Sequence, residues 1–194
     1  MEVRYDLTEA DVKELAALKY DDHFVLSLYL DLSVSEFPTK KDVEEEAASL
    51  IDSAVRRLES RHGGAPGFKE ALDDAKYLQR FLELDFSREG ASALAAFVCS
   101  PEDLQRCYVL ARPVRARSSF DRSPYVRALN AVLTENSAFG VILCNRRKAR
   151  LLAFHLGRQR GGELDVEDPV HGRHDQGGWS QARYARHIER EAHD

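Results

Sequence analysis

Apolar residues repeat along this chain with two periods, and the switches between them mark out its elements. In LTEADVKELAALK (residues 7–19), Val12, Leu15, Ala16 and Leu18 share one helical face, and Thr8 can cap it with Asp11 three residues on. Residues 23–33 change to period two. Phe24, Leu26, Leu28, Leu30 and Leu32 alternate with Val25, Ser27, Tyr29 and Asp31, which predicts a strand. After the turn EFPTKK, Thr39 is placed to cap a long helix reaching about residue 61, striped by Val43, Ala47, Ile51, Ala54, Val55 and Leu58. HGGAPG (residues 62–67) breaks that helix. A second long helix then runs to about residue 84, with Phe68, Ala71, Leu72, Ala75, Leu78 and Phe81 inward. The short loop between the two makes them antiparallel neighbours.

Beyond SREG, two strands are expected at 91–99 and 105–111, then a less regular basic segment up to Ser123-Pro124. Pro124 suits the first turn of a short helix, PYVRALNAVLTEN. Three strands follow at 138–145, 148–157 and 161–170, the first two joined by NRR, which is short enough for a hairpin. The pattern predicts a mixed α/β (α+β) fold. An N-terminal domain, residues 1–123, pairs a mostly antiparallel sheet with the two long helices. A second domain, residues 124–194, opens with the short helix and a three-stranded meander.

Composition narrows the picture. With 194 residues, 43% hydrophobic and 31% charged, the chain can bury a real core without metals or disulfides. The net charge of −5 argues against indiscriminate nucleic-acid binding and gives no reason to expect DNA as a partner. The charge is uneven, however. NRRKARLLAFHLGRQR (residues 145–160) has six Arg or Lys and no acid, and ARPVRARSSFDR (residues 111–122) has four arginines against one Asp. Such local patches are where phosphate could be met. The acidic turn at Asp42–Glu46 reads as a solvated face. Cys99, Cys107 and Cys144 lack CxxC spacing, and each lies in an apolar run as a small core residue would. An odd cysteine count and no signal-like N-terminus point to the cytoplasm. No apolar run approaches the ~18 residues of a membrane span, so no membrane partner is expected.

The chemistry-bearing stretch is HGRHDQGGWSQARYARHIERE (residues 171–191), which holds the only tryptophan of the chain. His171, His174 and Asp175 fall short of the four convergent ligands a zinc site needs, and His187 and His193, six apart, do not share a helical face. No metal and no cofactor is expected. Ser180 lacks a G-x-S-x-G elbow and reads as an N-cap. The pair Gly177-Gly178 is either a flexible loop or a place where another molecule's backbone comes close. Arg173 precedes it, and Arg183, Arg186 and Arg190 follow on one helical face, near a helix N-terminus at Ser180. These arginines are either a solvated face or a grip on a polyphosphate backbone, with His174 as a phosphate-facing imidazole.

FGVILCNRRKARLLAFHLG, GELDVEDPV and HGRHDQGGWSQARYARHIE together resemble the start of the middle domain of the archaeal–eukaryotic class-I peptide chain release factors. That domain carries G-x-H-x-x-GGQS-x-x-R-x-x-R. Gly172, His174, Gly177, Gly178, Ser180, Arg183 and Arg186 stand at the matching places. VLSLYLDLS…FPTKKDVEEE is similar to the first domain of the bacterial members, which include peptidyl-tRNA hydrolases of ribosome quality control and a ribosome hibernation factor. The codon-reading Asn-Ile-Lys-Ser motif is absent, so the resemblance does not extend to stop-codon decoding. It implies that the middle domain would continue past Asp194, and that further domains could engage a translational GTPase.

The resemblance implies a ribosome-associated release or rescue factor, with rRNA and peptidyl-tRNA as partners. Gly177, Gly178 and Trp179 would form the catalytic loop, and Arg173, His174, Arg183, Arg186 and Arg190 would bind RNA. Trp179 stands where the family has Gln. Its backbone N–H still offers an oxyanion donor, but an indole cannot shape the pocket or orient water as an amide does. A factor that occupies the ribosomal A site without chemistry, in hibernation or stress, is the alternative. A stand-alone RNA- or protein-binding module is a third.

Overall fold

The computed structural model describes residues 1–88, 91–135, 139–144, 148–155 and 158–167. Within them the chain runs β1 (Glu2–Arg4), α1 (Glu9–Ala17), β2 (Val25–Asp31), α2 (Lys40–His62), α3 (Phe68–Leu84), β3 (Ala93–Cys99) and β4 (Leu104–Leu110). It continues through β5 (Arg117–Asp121), α4 (Arg127–Glu135), β6 (Phe139–Cys144), β7 (Lys148–His155) and β8 (Arg158–Glu167). This is the mixed α/β fold that the periodicity predicts. The first sheet has five strands in the order β1-β4-β3-β2-β5. Three of its pairings are antiparallel, and β1 lies parallel to β4.

The alternation along β2 has a consequence beyond one amphipathic face, because both of its faces are buried. Leu26, Leu28, Leu30 and Leu32 pack with Leu94, Ala96 and Val98 of β3 under Val43, Ala47 and Ile51 of α2 and Leu78 and Phe81 of α3. The other face sets Val25 and Tyr29 beside Ala95, Phe97 and Tyr108, covered by Leu7, Val12 and Leu15 around α1 and by Leu129 of α4. The sheet is therefore the middle layer of three. Burial of a large aliphatic side chain is worth about 1.5–3 kcal/mol, and here the central strands collect it from both sides.

The helices begin where the sequence says they should. Thr8 and Asp11 form a reciprocal capping box at α1, and Thr39 and Asp42 form another at α2. The α2 stripe is buried at Val43, Ala47, Ile51, Ala54 and Leu58, with Val55 only half-buried. On α3 the inward set is Ala71, Asp74, Ala75, Leu78, Phe81 and Leu82, and Leu72 is half-buried. Gly67, at the N-cap of α3, has φ +79°, and a Cβ there would lie 2.2 Å from the Asp22 carbonyl oxygen. Only glycine lets the α2–α3 turn touch the entrance of β2.

Two strands were not anticipated. β5 lies in the basic segment read as irregular. RSSFD contains one large apolar residue, so it carries no period of its own and is a strand through its pairing with β2. β1 is three residues long, too short to show alternation, and its place beside β4 is purely tertiary. The cysteine reading needs one correction. Cys99 and Cys107 are buried as expected, but Cys144 is exposed at the end of β6. The described part of β6 and β7 also exposes Ile142, Leu143 and Leu151, so an apolar run there does not imply a covered face.

The chain divides into two compact units. One comprises Met1–Phe139 with Phe154–Gln159, and the other Gly140–Ala153 with the chain from Arg160 onward. The expected boundary at 123/124 lies before α4, whereas packing keeps α4 in the first unit, because Leu129 is fully buried in that unit's core. The strands β6, β7 and β8 form a sheet of their own in that order.

Candidate functional site

The residues singled out from the sequence, Gly177, Gly178 and Trp179 with Arg173, His174, Arg183, Arg186 and Arg190, lie outside the described residues, as do His171, Asp175 and Ser180. The structure does describe the start of the segment that carries them, and how that start is fastened.

The fastening is polar and buried. The Tyr29 hydroxyl, on a side chain 1% exposed, donates to the Tyr125 carbonyl and accepts the Leu129 backbone N–H. Leu129 is the third residue of α4, so its N–H is one of those a helix N-terminus leaves without an internal partner. A tyrosine reaching from the neighbouring sheet thus does the work of an N-cap. Ser27 adds a second tie, its Oγ accepting the Tyr125 N–H at 3.0 Å. The Tyr125 ring meets Tyr29 edge-on at 6.0 Å, and the Arg117 guanidinium lies over the Tyr125 ring, 4.3 Å from its centre. Burial pushes the Tyr29 hydroxyl well above its ordinary titration range, so it stays a donor.

The basic segment 111–122 is partly committed to this framework. Besides Arg117 on Tyr125, Arg122 stacks 4.0 Å from the centre of the Phe24 ring, and its Nη1 is buried without a hydrogen-bond partner. Stacked guanidinium groups of this kind contribute locally as cation–π contacts. Arg112 and Arg115 are exposed. In the other basic stretch, 145–160, Arg150 is engaged in the structure, and the side chains of Arg146, Arg147, Lys148, Arg158 and Arg160 lie outside the described set.

Two titratable clusters went unnoticed in the sequence. Asp74, 2% exposed on α3, accepts the Ser100 backbone N–H at 3.1 and 3.2 Å and thereby caps the turn between β3 and β4. Burial raises its carboxyl above the ordinary value, more than the Ser100 bonds lower it. On the opposite face, Arg4 bonds Glu2 at 2.8 Å and Asp11 at 2.6 Å, and Arg106 pairs with Glu14. Burial opposes ionisation of Asp11, yet the bonds from Thr8 and Arg4 outweigh it and hold the carboxyl below its usual range. Both clusters join elements of the fold, which gives them a structural role. Only contacts made by the fold could reveal them, since nothing in the local sequence pairs Asp74 with Ser100.

Among the described residues, no three His, Cys, Asp or Glu side chains converge as a metal site. No described helix is long and apolar enough to cross a membrane.

Residues 124–194 match the family model of bacterial archaeo-eukaryotic release factor family 10. No curated protein matches. Among solved structures, an "Archaeal protein" is 16% identical with a TM-score of 0.42, over 97% of this chain and 53% of its own. The archaeal translation termination factor aRF1 is 17% identical with a TM-score of 0.42, over 95% of this chain and 48% of its own. The chain thus spans about half the length of each of these structures. The family match begins at Pro124, one residue before the tyrosine that Tyr29 and Ser27 hold, and it includes the Gly177-Gly178-Trp179 sequence. Over residues 124–194 this chain is similar to the release-factor-like superfamily.

Proposed function

We propose that the protein acts at the ribosome as a release- or rescue-factor-like protein that presents the Gly177-Gly178-Trp179 loop to the ester of peptidyl-tRNA. The observation that carries this reading is the family match over residues 124–194, within which Gly172, His174, Gly177, Gly178, Ser180, Arg183 and Arg186 keep the release-factor order and spacing. In this reading the two glycines let the backbone approach the ester. The Trp179 backbone N–H donates to the oxygen that gains charge as the ester is attacked, a contribution of a few kcal/mol in comparable sites. Arg173, Arg183, Arg186 and Arg190, with His174, hold rRNA or tRNA phosphates.

Trp179 favours a second reading. An indole replaces the amide that would orient water, and its flat face suits stacking on a nucleobase, as in a hibernation or stress factor that occupies the A site without cutting. A peptidyl-tRNA release assay on purified ribosomes separates the two. Release above buffer supports catalysis. Binding without release, with hydrolysis gained in Trp179→Gln, supports occupancy on a competent scaffold. Co-sedimentation with ribosomes tests the premise of both readings. With about four phosphate contacts, affinity should fall roughly a hundredfold between about 50 and 200 mM salt. No co-sedimentation at low salt sinks both and leaves a module that works away from the ribosome.

A further inference from the structure

The edge strand β5 and the C-terminal half of α2 enclose a groove of about 480 Å³ on the first unit. Buried Leu58 and half-buried Phe120 line its floor, and exposed Arg57, Arg61 and His62 line its rim. Among the described residues none of these three side chains is ion-paired, whereas Arg4, Lys40 and Arg106 each sit beside a carboxylate. Among the described residues the single carboxylate in the groove wall is Asp121, and it accepts the Arg122 backbone N–H.

We propose that this groove binds an extended acidic peptide, which adds to β5 as a further strand. Three features point to that occupant. Among the described residues β5 pairs with β2 along one edge only. Arg57 Nη2 donates to the Ser118 carbonyl at 2.9 Å, and outside the pairing with β2 no backbone–backbone hydrogen bond is made by Arg117–Asp121 among the described residues. An edge of this kind, facing a helix across a groove, is what strand addition uses. An added strand turns alternate side chains to the same side, so apolar ones meet Leu58 and Phe120 while carboxylates meet the rim. Guanidinium forks bind carboxylates through paired, charge-assisted hydrogen bonds.

A single-stranded RNA fits less well. It needs open ring faces for stacking, but His62 is packed against Phe24 at 5.3 Å between ring centres, and Tyr125 is covered by Arg117. This inference does not depend on action at the ribosome, because every residue in it belongs to the first unit.

Fluorescence anisotropy on the whole chain tests it, with a labelled peptide of alternating Glu and Val as the probe. The expected result is saturable binding that weakens about tenfold with a Lys-Val peptide, with alternate N-methylation of the backbone, and in Arg61→Glu or Arg57→Glu. Arg61→Glu is the stricter variant, since Arg61 is exposed and engaged in no described contact, so its circular dichroism melt should match the parent. Absence of binding, or binding indifferent to both substitutions, overturns the proposal. Equal binding of the N-methylated peptide overturns strand addition, and binding of oligouridine in place of the peptide assigns the groove to RNA instead.

Discussion

Replacing Tyr29 by Phe removes one oxygen atom from the middle of the first unit and nothing else. The ring remains, with its edge-on contacts to Phe97 and Tyr125 at 6.0 Å, so no cavity opens. What is lost is the donor to the Tyr125 carbonyl and the acceptor for the Leu129 N–H. Each hydrogen bond is worth about 1 kcal/mol net, and a buried group left without a partner costs about 1–3 kcal/mol. Leu129 is fully buried, so water does not readily take the place of the lost oxygen at its N–H. The expected cost is therefore about 2 kcal/mol, a fall in Tm of roughly 4–8 °C for a chain of this size. The loss should be localised. Because the phenol oxygen serves the first turn of α4, amide exchange across Arg127–Glu135 should accelerate about thirtyfold, with the amides of β3 slowed or quickened far less. Urea melts and hydrogen exchange followed by mass spectrometry measure both quantities. A destabilisation below about 0.5 kcal/mol, or exchange in α4 indistinguishable from the parent, would refute the claim that Tyr29 caps this helix.

The remaining predictions concern the turn, the buried carboxyl and the thiols. Gly67→Ala should cost at least about 3 kcal/mol, since backbone must move to admit the new methyl, whereas Gly64→Ala, with φ +84° but open space around it, should cost about 1–2 kcal/mol. Equal costs in urea melts would show that the Asp22 contact is not what selects glycine. For Asp74 the folded carboxyl titrates above the unfolded one, so the folded state holds the proton more tightly. Its stabilising contribution is present at acid pH and is lost as pH rises from about 4 through the raised folded value. Asp74→Asn should flatten that descent, and a stability–pH curve that keeps its slope in the variant would contradict the assignment. In native protein a thiol reagent should label Cys144 alone. Cys99 and Cys107, buried and pushed up to about 12, should react only on unfolding. Rapid native labelling of a second thiol would place one of the two outside the core.

The elements that the sequence alone determined are those whose information is local. Thr8 with Asp11 and Thr39 with Asp42 start their helices because a hydroxyl and a carboxylate three residues apart satisfy each other's backbone donors. The α2 and α3 stripes and the period of β2 set which residues turn inward. The Gly-Gly-Trp sequence and its arginine spacing were also legible without coordinates, because a motif is a property of order along the chain.

Tertiary structure decided whatever depends on partners distant in sequence. It covered the second face of β2 by bringing α4 over it, tied through Tyr29 and Tyr125, 96 residues apart in sequence, beside α1 from the N-terminal end of the chain. It turned RSSFD into a strand by giving it β2 to pair with, and buried Asp74 by bringing it Ser100. It assigned α4 to the first unit through Leu129, although the family match begins before that helix. Exposed Cys144 makes the same point in reverse: an apolar neighbourhood in sequence becomes a core only where another layer lies over it.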